Sequence, residues 1–206
     1  KPLVALSVVT NSSNIREMKQ VGEMNLAKAA MIAASADVEV TPVTRYDINV
    51  ATGINHAADE YHATNLVIGL HHKANIIDSF FGSLTEGVLK GSYREILIAR
   101  YMIPPTSVRK IHVAVPPQAE YEAGFVKWIE HLCRMASQLA CGICFYANET
   151  TLGYIEEVVS SMPAAGLASF FVMQEWGDFE LIKGKLHYSH LVVVVGARKC
   201  SITYNS

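Results

Sequence analysis

Short runs of aliphatic and β-branched residues recur along this chain, and most are followed by a longer stretch with helical spacing. The first is Leu3-Val4-Ala5-Leu6-Ser7-Val8-Val9-Thr10 and the last is Leu191-Val192-Val193-Val194-Val195. Runs of this length without polar alternation suit a strand buried on both faces of a parallel sheet. Parallel neighbours need a crossover, and a helical crossover packs back onto the sheet with one hand. The alternation therefore points to an α/β chain built on open parallel sheets.

Strands are expected at residues 3–10, 38–44, 65–69, 95–101, 110–115, 142–147, 168–175 and 191–195. Pro42 inside the second run argues for an edge or a bulge, because proline brings no N–H to a ladder. Asn11-Ser12-Ser13-Asn14 supplies N-cap chemistry for a helix running to about Ala36. Further helices are expected over 54–62, 82–90, 122–140 and 151–161. In the third of these, Phe125, Ile129, Leu132, Ala136 and Leu139 recur at steps of 4, 3, 4 and 3. A polar stretch, residues 177–187, precedes the last strand.

Pro104-Pro105-Thr106-Ser107 is the clearest linker, and the strand–helix pattern restarts after it. Two passes of about 100 residues each read as a tandem repeat. Aligned on the glycine that follows a strand (Gly69 and Gly196), the passes are cut at different places. The first, residues 1–103, lacks an opening strand and helix. The second, residues 108–206, stops after its fourth strand. Both ends read as cuts through a longer polypeptide.

Composition narrows the class. The 206 residues carry 17 basic and 19 acidic side chains, a formal charge of −2. Half are hydrophobic and only 17% are charged, against about 25% in an average soluble domain. Disorder is excluded by this apolar content. Nucleic-acid binding is not expected, for want of a basic cluster. The longest uncharged stretch, residues 158–174, has 17 residues and contains Pro163, Gly166 and three serines. A membrane span needs about 20 mostly apolar residues, so this segment is expected not to insert in a membrane. The low charge instead implies surface meant for partners.

Cys141-Gly142-Ile143-Cys144 has the C-x-x-C form but follows a helix and leads into a strand. A redox pair wants its first cysteine at a helix N-terminus, and a zinc site wants a second pair. Cys133, Cys141, Cys144 and Cys200 are expected to be small buried thiols.

One motif carries chemistry. Gly69-Leu70-His71-His72 follows a strand, and after nine residues Gly82-Ser83 opens a helix. A glycine leaving a parallel strand lets backbone N–H groups approach an anion. Gly-Ser at a helix start adds free N–H groups, a hydroxyl and the positive dipole end. Such sites lie beyond the carboxyl ends of the strands. The alternative is a turn whose glycines serve geometry alone.

Residues 54–69, Phe80-Phe81-Gly82-Ser83-Leu84-Thr85-Glu86-Gly87-Val88-Leu89 and Ile96-Leu97-Ile98-Ala99 resemble the universal stress protein family. That family's nucleotide motif reads Gly, two residues, Gly, nine residues, then Gly-Ser or Gly-Thr. Gly69, Gly82 and Ser83 match it, while His72 stands at the second glycine. The resemblance covers residues 1–103 well and 108–199 more weakly. It implies two modules in tandem, each a Rossmann-type open parallel sheet of the adenine nucleotide alpha hydrolase-like kind. It also implies ATP or AMP as ligand, held by Gly69, His71, His72, Gly82 and Ser83. The family's adenosine-binding aspartate has no counterpart: Pro116 occupies its position in the second half. Lys199 replaces the second glycine there.

The sequence looks most like the cytosolic tail of bacterial cation/proton antiporters, notably sodium/proton antiporters. The resemblance implies a non-catalytic regulatory module at the cytoplasmic side of the inner membrane, partnered by a transport domain of the same polypeptide. Sheet edges left by the missing elements favour a homodimer. A stand-alone tandem universal stress protein binding ATP or AMP is the alternative. No metal site is expected: His71 and His72 are adjacent and would point apart, with His56 and His62 on the preceding helix. Asp78 and Glu86 read as helix-surface charge, and Glu175-Trp176-Gly177-Asp178 as an exposed turn suited to an interface. No Walker lysine, Gly-x-Ser-x-Gly elbow or Gly-x-Gly-x-x-Gly pattern is present.

Overall fold

The structure is a computed structural model that describes residues 3–11, 14–69, 83–100, 103–178, 182–199 and 201–204. The chain divides into two compact units, Lys1–Arg100 and Tyr101–Ser206. It is α/β, and every strand pairing is parallel.

The first unit runs β1 (Leu3–Thr10), α1 (Ile15–Ser35), β2 (Val40–Asp47), α2 (Val50–Glu60), β3 (Asn65–Gly69), α3 (Ser83–Gly91) and β4 (Glu95–Ala99). β1 pairs with β2 from Leu3↔Val40 to Thr10↔Asp47, and β3 pairs with β4 from Asn65↔Glu95 to Gly69↔Ala99. Helices meet β1 through glycines on alternating positions. A Cβ on Gly22 of α1 would strike the Ser7 side chain, and one on Gly53 of α2 would lie 2.6 Å from Val8 Cγ1. Ser7 and Val8 point to opposite sheet faces, so α1 and α2 cover opposite faces of β1.

Several boundaries differ from the sequence expectation, each for a local reason. β1 reads as a strand buried on both faces, yet only Val9 is buried and Leu3 is exposed, because β2 is its one partner among the described residues. β2 extends three residues past Thr44 to Asp47, and its Pro42 stands opposite Ala5. Helix α2 starts at Val50 rather than 54, since the Asn49 side chain accepts the Thr52 N–H at 2.9 Å and caps it. Asn14 precedes α1 but makes no side-chain cap.

The second unit runs β5 (Lys110–Ala114), α4 (Phe125–Gln138), β6 (Gly142–Ala147), α5 (Glu149–Ser160), β7 (Ala168–Val172) and β8 (His190–Val194). Its sheet order is β7-β6-β5-β8. Ile111, Val113, Ile143 and Phe145 face Ile129, Leu132, Cys133 and Ala136 of α4 and Leu152, Ile155 and Val159 of α5 in one core. Asn148 caps α5 by accepting the Thr151 N–H at 2.8 Å. β7 stops at Val172 rather than 175 because the Asp178 carboxylate gathers the Gln174 and Glu175 N–H groups into a turn. Cys133, Cys141 and Cys144 are free and buried, and burial pushes their thiols up.

Among the described residues, no helix is long and apolar enough to cross a membrane.

Candidate functional site

In a parallel α/β unit the ligand crevice lies beyond the carboxyl ends of the strands, where neighbouring connections leave in opposite directions. In the first unit, Thr10, Asp47, Gly69 and Ala99 end β1, β2, β3 and β4. Gly69 is the one phosphate-motif residue whose surroundings are described. Its φ lies outside the left-handed region, and a Cβ built on it meets nothing within 4 Å among the described residues. Neither backbone conformation nor packing among those residues requires glycine there. Ser83 begins α3, but its side chain, like His71, His72, Gly82 and Asp78, lies outside the described residues.

The acid at the end of β2 is already engaged. Asp47 meets His56 Nδ1 at 2.8 Å and Arg45 Nε at 3.3 Å, and accepts the Ile48 N–H at 2.8 Å. The His56 bond, helped by the Ile48 N–H and Arg45, holds the carboxyl below its ordinary range. Arg45 also donates to Glu60 at 2.5 Å, which raises its guanidinium further. His56, for which no metal role is expected, is the partner of Asp47. Glu86 pairs with Lys90 one turn on, at 2.9 Å. Among the described residues, no three His, Cys, Asp or Glu side chains converge to hold a metal ion.

In the second unit the connection after β5 leads to β6 on one side, while β8 flanks β5 on the other. The switch point is therefore the β5–β8 boundary. The ladder continues one step past each strand: Val115 N–H donates to Tyr146 O, and Val195 N–H donates to Ala114 O, both at 2.9 Å. Pro116 is the next residue and is buried. Proline offers neither an acceptor side chain nor an N–H to a ligand at this point. Two acids follow, and both hold hydroxyls of their own unit. Glu120 accepts from Thr151 at 2.8 Å, and Glu122 accepts from the Thr203 hydroxyl.

The sheet face turned away from α4 and α5 carries a buried polar network that the sequence did not announce. His112 on β5 is 3% exposed. Its Nε2 lies 3.1 Å from His190 Nδ1 and its Nδ1 lies 2.9 Å from Tyr146 Oη. The His187 N–H donates to the same His190 Nδ1 at 3.3 Å, so that atom is an acceptor. His112 must then carry its proton on Nε2, and Tyr146 donates to its Nδ1. Burial, then the nearby His190, Lys110 and Lys185 charges, lower the His112 pKa to about 4. His112 and His190 each stand inside or at the start of an apolar strand run. A polar residue on one face of such a run was the signal available.

α1 buries Gly22, Leu26 and Ala33, and on another flank it exposes Val21, Met24, Met31 and Ile32, with the charged Glu17 and Lys28 set among them. Met31 is 74% exposed.

Residues 3–100 match the family described as the universal stress protein family. No curated protein matches the chain. Three solved structures resemble it in fold. A protein of unknown function from Pseudomonas aeruginosa PAO1 is 12% identical, with a TM-score of 0.64 over 98% of this chain and 74% of its own. A universal stress protein from Archaeoglobus fulgidus DSM 4304 is 16% identical, with a TM-score of 0.60 over 90% of this chain and 70% of its own. A protein of Pseudomonas aeruginosa UCBPP-PA14, provisionally named a universal stress protein, is 12% identical, with a TM-score of 0.59 over 97% of this chain and 84% of its own.

Proposed function

We propose that this chain, whose residues 3–100 match the universal stress protein family, is a non-catalytic regulatory module of a bacterial cation/proton antiporter. On this reading the second unit is a divergent second module of the same kind. The partner is a membrane transport domain of the same polypeptide, at the cytoplasmic side of the inner membrane, and the module works as a homodimer. The supporting observation is the exposed flank of α1. Exposed apolar side chains grouped on one flank of a helix suit a partner surface, and methionines adapt to such surfaces. Asp47, Glu120 and Glu122 each hold structural donors, which favours a role in contact over one in chemistry. Such a module biases transport by binding one state of its partner better than the other.

The test is complementation. The intact gene is placed in a host lacking its own antiporters and challenged with sodium, potassium and alkaline pH. Restored growth supports the reading; failure under all three challenges, with the protein present in the cell, ends it.

A second reading is a stand-alone tandem universal stress protein that binds ATP or AMP. It is favoured by Gly69, beside which no described residue would meet a Cβ, so that a backbone could approach a phosphate there. Thermal shift with each nucleotide decides it. A shift lost in Gly69→Val supports nucleotide binding, and no shift at millimolar ligand removes it.

A further inference from the structure

We propose that the segment after β8 is a built-in strap that closes the second unit's own ligand crevice, latched by Glu122 onto Thr203. This closure does not depend on which partner the module serves. The crevice at the β5–β8 switch point is bounded by the connection after β5 and the connection after β8. These two connections are joined to each other. The Glu122 Oε1 atom accepts the Thr203 hydroxyl and, at 3.3 Å, the Thr203 N–H. Ser201 also reaches this carboxylate, and the three donors hold it below the usual range despite some burial.

The strap has its own local structure. Ser201 N–H donates to Arg198 O at 3.0 Å and Tyr204 N–H donates to Ser201 O at 3.2 Å, so the segment turns, with Thr203 directed to Glu122 and Ile202 and Tyr204 exposed. Thr203 is 7% exposed. The floor is apolar: Val115 and Ala119 belong to the core packed with α4 and α5, and Pro116 between them is buried. The other rim is fixed too, because Glu120 accepts from Thr151 at the start of α5. An ionised carboxylate at the mouth further disfavours a phosphate ligand. A parallel α/β unit normally leaves this crevice to a ligand; here the chain spends it on a contact with itself.

Two measurements test the latch. Amide exchange by NMR on the unaltered protein should find the Thr203 N–H protected, and Glu122→Gln should speed its exchange by about tenfold or more, the loss expected of a charge-assisted bond. The β5 amides should keep their protection in that variant. In a Cys200→Ser background, Pro116→Cys should react slowly with N-ethylmaleimide. It should react about tenfold faster when Thr203→Val is added. An unprotected Thr203 amide in the unaltered protein overturns the proposal without any variant. So does exchange or labelling that neither substitution changes.

Discussion

Gly91 of α3 sits directly against Asn55 of α2. A Cβ added to Gly91 would fall 2.9 Å from Asn55 Cγ, closer than real side chains approach. One turn earlier, a Cβ on Gly87 would fall 2.8 Å from Ala51 Cβ, and Asn55 Nδ2 donates to Gly87 O at 3.4 Å. Two glycines four residues apart thus let α3 lie on α2. Arg94 adds a polar tie beside them, donating to Ala63 O at 2.6 Å and Asp59 at 2.7 Å. Because α2 rests on β1 and α3 connects β3 to β4, this crossing ties the two strand pairs of the first unit together.

Gly91→Ala should therefore destabilise the first unit by about 1–3 kcal/mol, as overpacking does. Urea unfolding followed by circular dichroism measures it. Adding Asn55→Ala should recover part of the loss, since the two residues share one contact. Equal losses in single and double variants would contradict the packing account.

Tyr146→Phe should destabilise the second unit by about 1–3 kcal/mol, the cost of leaving the buried His112 Nδ1 without a donor. The ring fills nearly the same space, so packing changes little; Tyr146 stacks on Phe171 with centroids 5.2 Å apart. Phe171→Leu supplies the comparison for packing alone, and its loss should not depend on whether Tyr146 is present as tyrosine or phenylalanine beyond the stacking term. Denaturant midpoints of the single and double variants separate the two contributions.

His112 should stay neutral across the range where an exposed histidine titrates. Its folded pKa is about 4, against an ordinary 6.5. The folded state then binds fewer protons than the unfolded chain between those values. The stability contributed by this group is complete above pH 6.5 and is lost as pH falls toward 4. Ring chemical shifts from pH 8 to 3.5 check this: the His112 signals should hold until near pH 4. A midpoint near 6.5 would contradict the buried network.

The exposed flank of α1 bears on contact and not on folding. Met24→Glu with Met31→Glu should leave the unfolding midpoint of this chain within about 0.5 kcal/mol, as exposed substitutions usually do. A large loss would place those side chains in a core.

Much of this was legible in the sequence, and particular residues show where legibility stopped. The run at 191–195 and the helical spacing of Phe125, Ile129, Leu132 and Ala136 carry their own period, so β8 and α4 were readable from local pattern. The start of α2 was missed because Asn49 caps it through a side chain, a signal weaker than the apolar face beginning at Ile54. The end of β7 was missed because Asp178, six residues past Val172, decides it. Gly69 was legible as a strand-end glycine, but not that a Cβ there would meet none of the described residues. The His112–Tyr146–His190 network joins residues from three strands, and Glu122 and Thr203 meet across 81 positions. Contacts of that kind follow from topology, and no local pattern announces them.

The central claim is that this module regulates cation/proton exchange through contact. The most direct test measures sodium- and potassium-dependent proton exchange in everted membrane vesicles from cells expressing the intact gene, with and without Met24→Glu and Met31→Glu. The account expects exchange in the unaltered protein and a changed rate or cation dependence in the variant at equal membrane abundance. No cation-dependent exchange, or identical exchange in both, would contradict it.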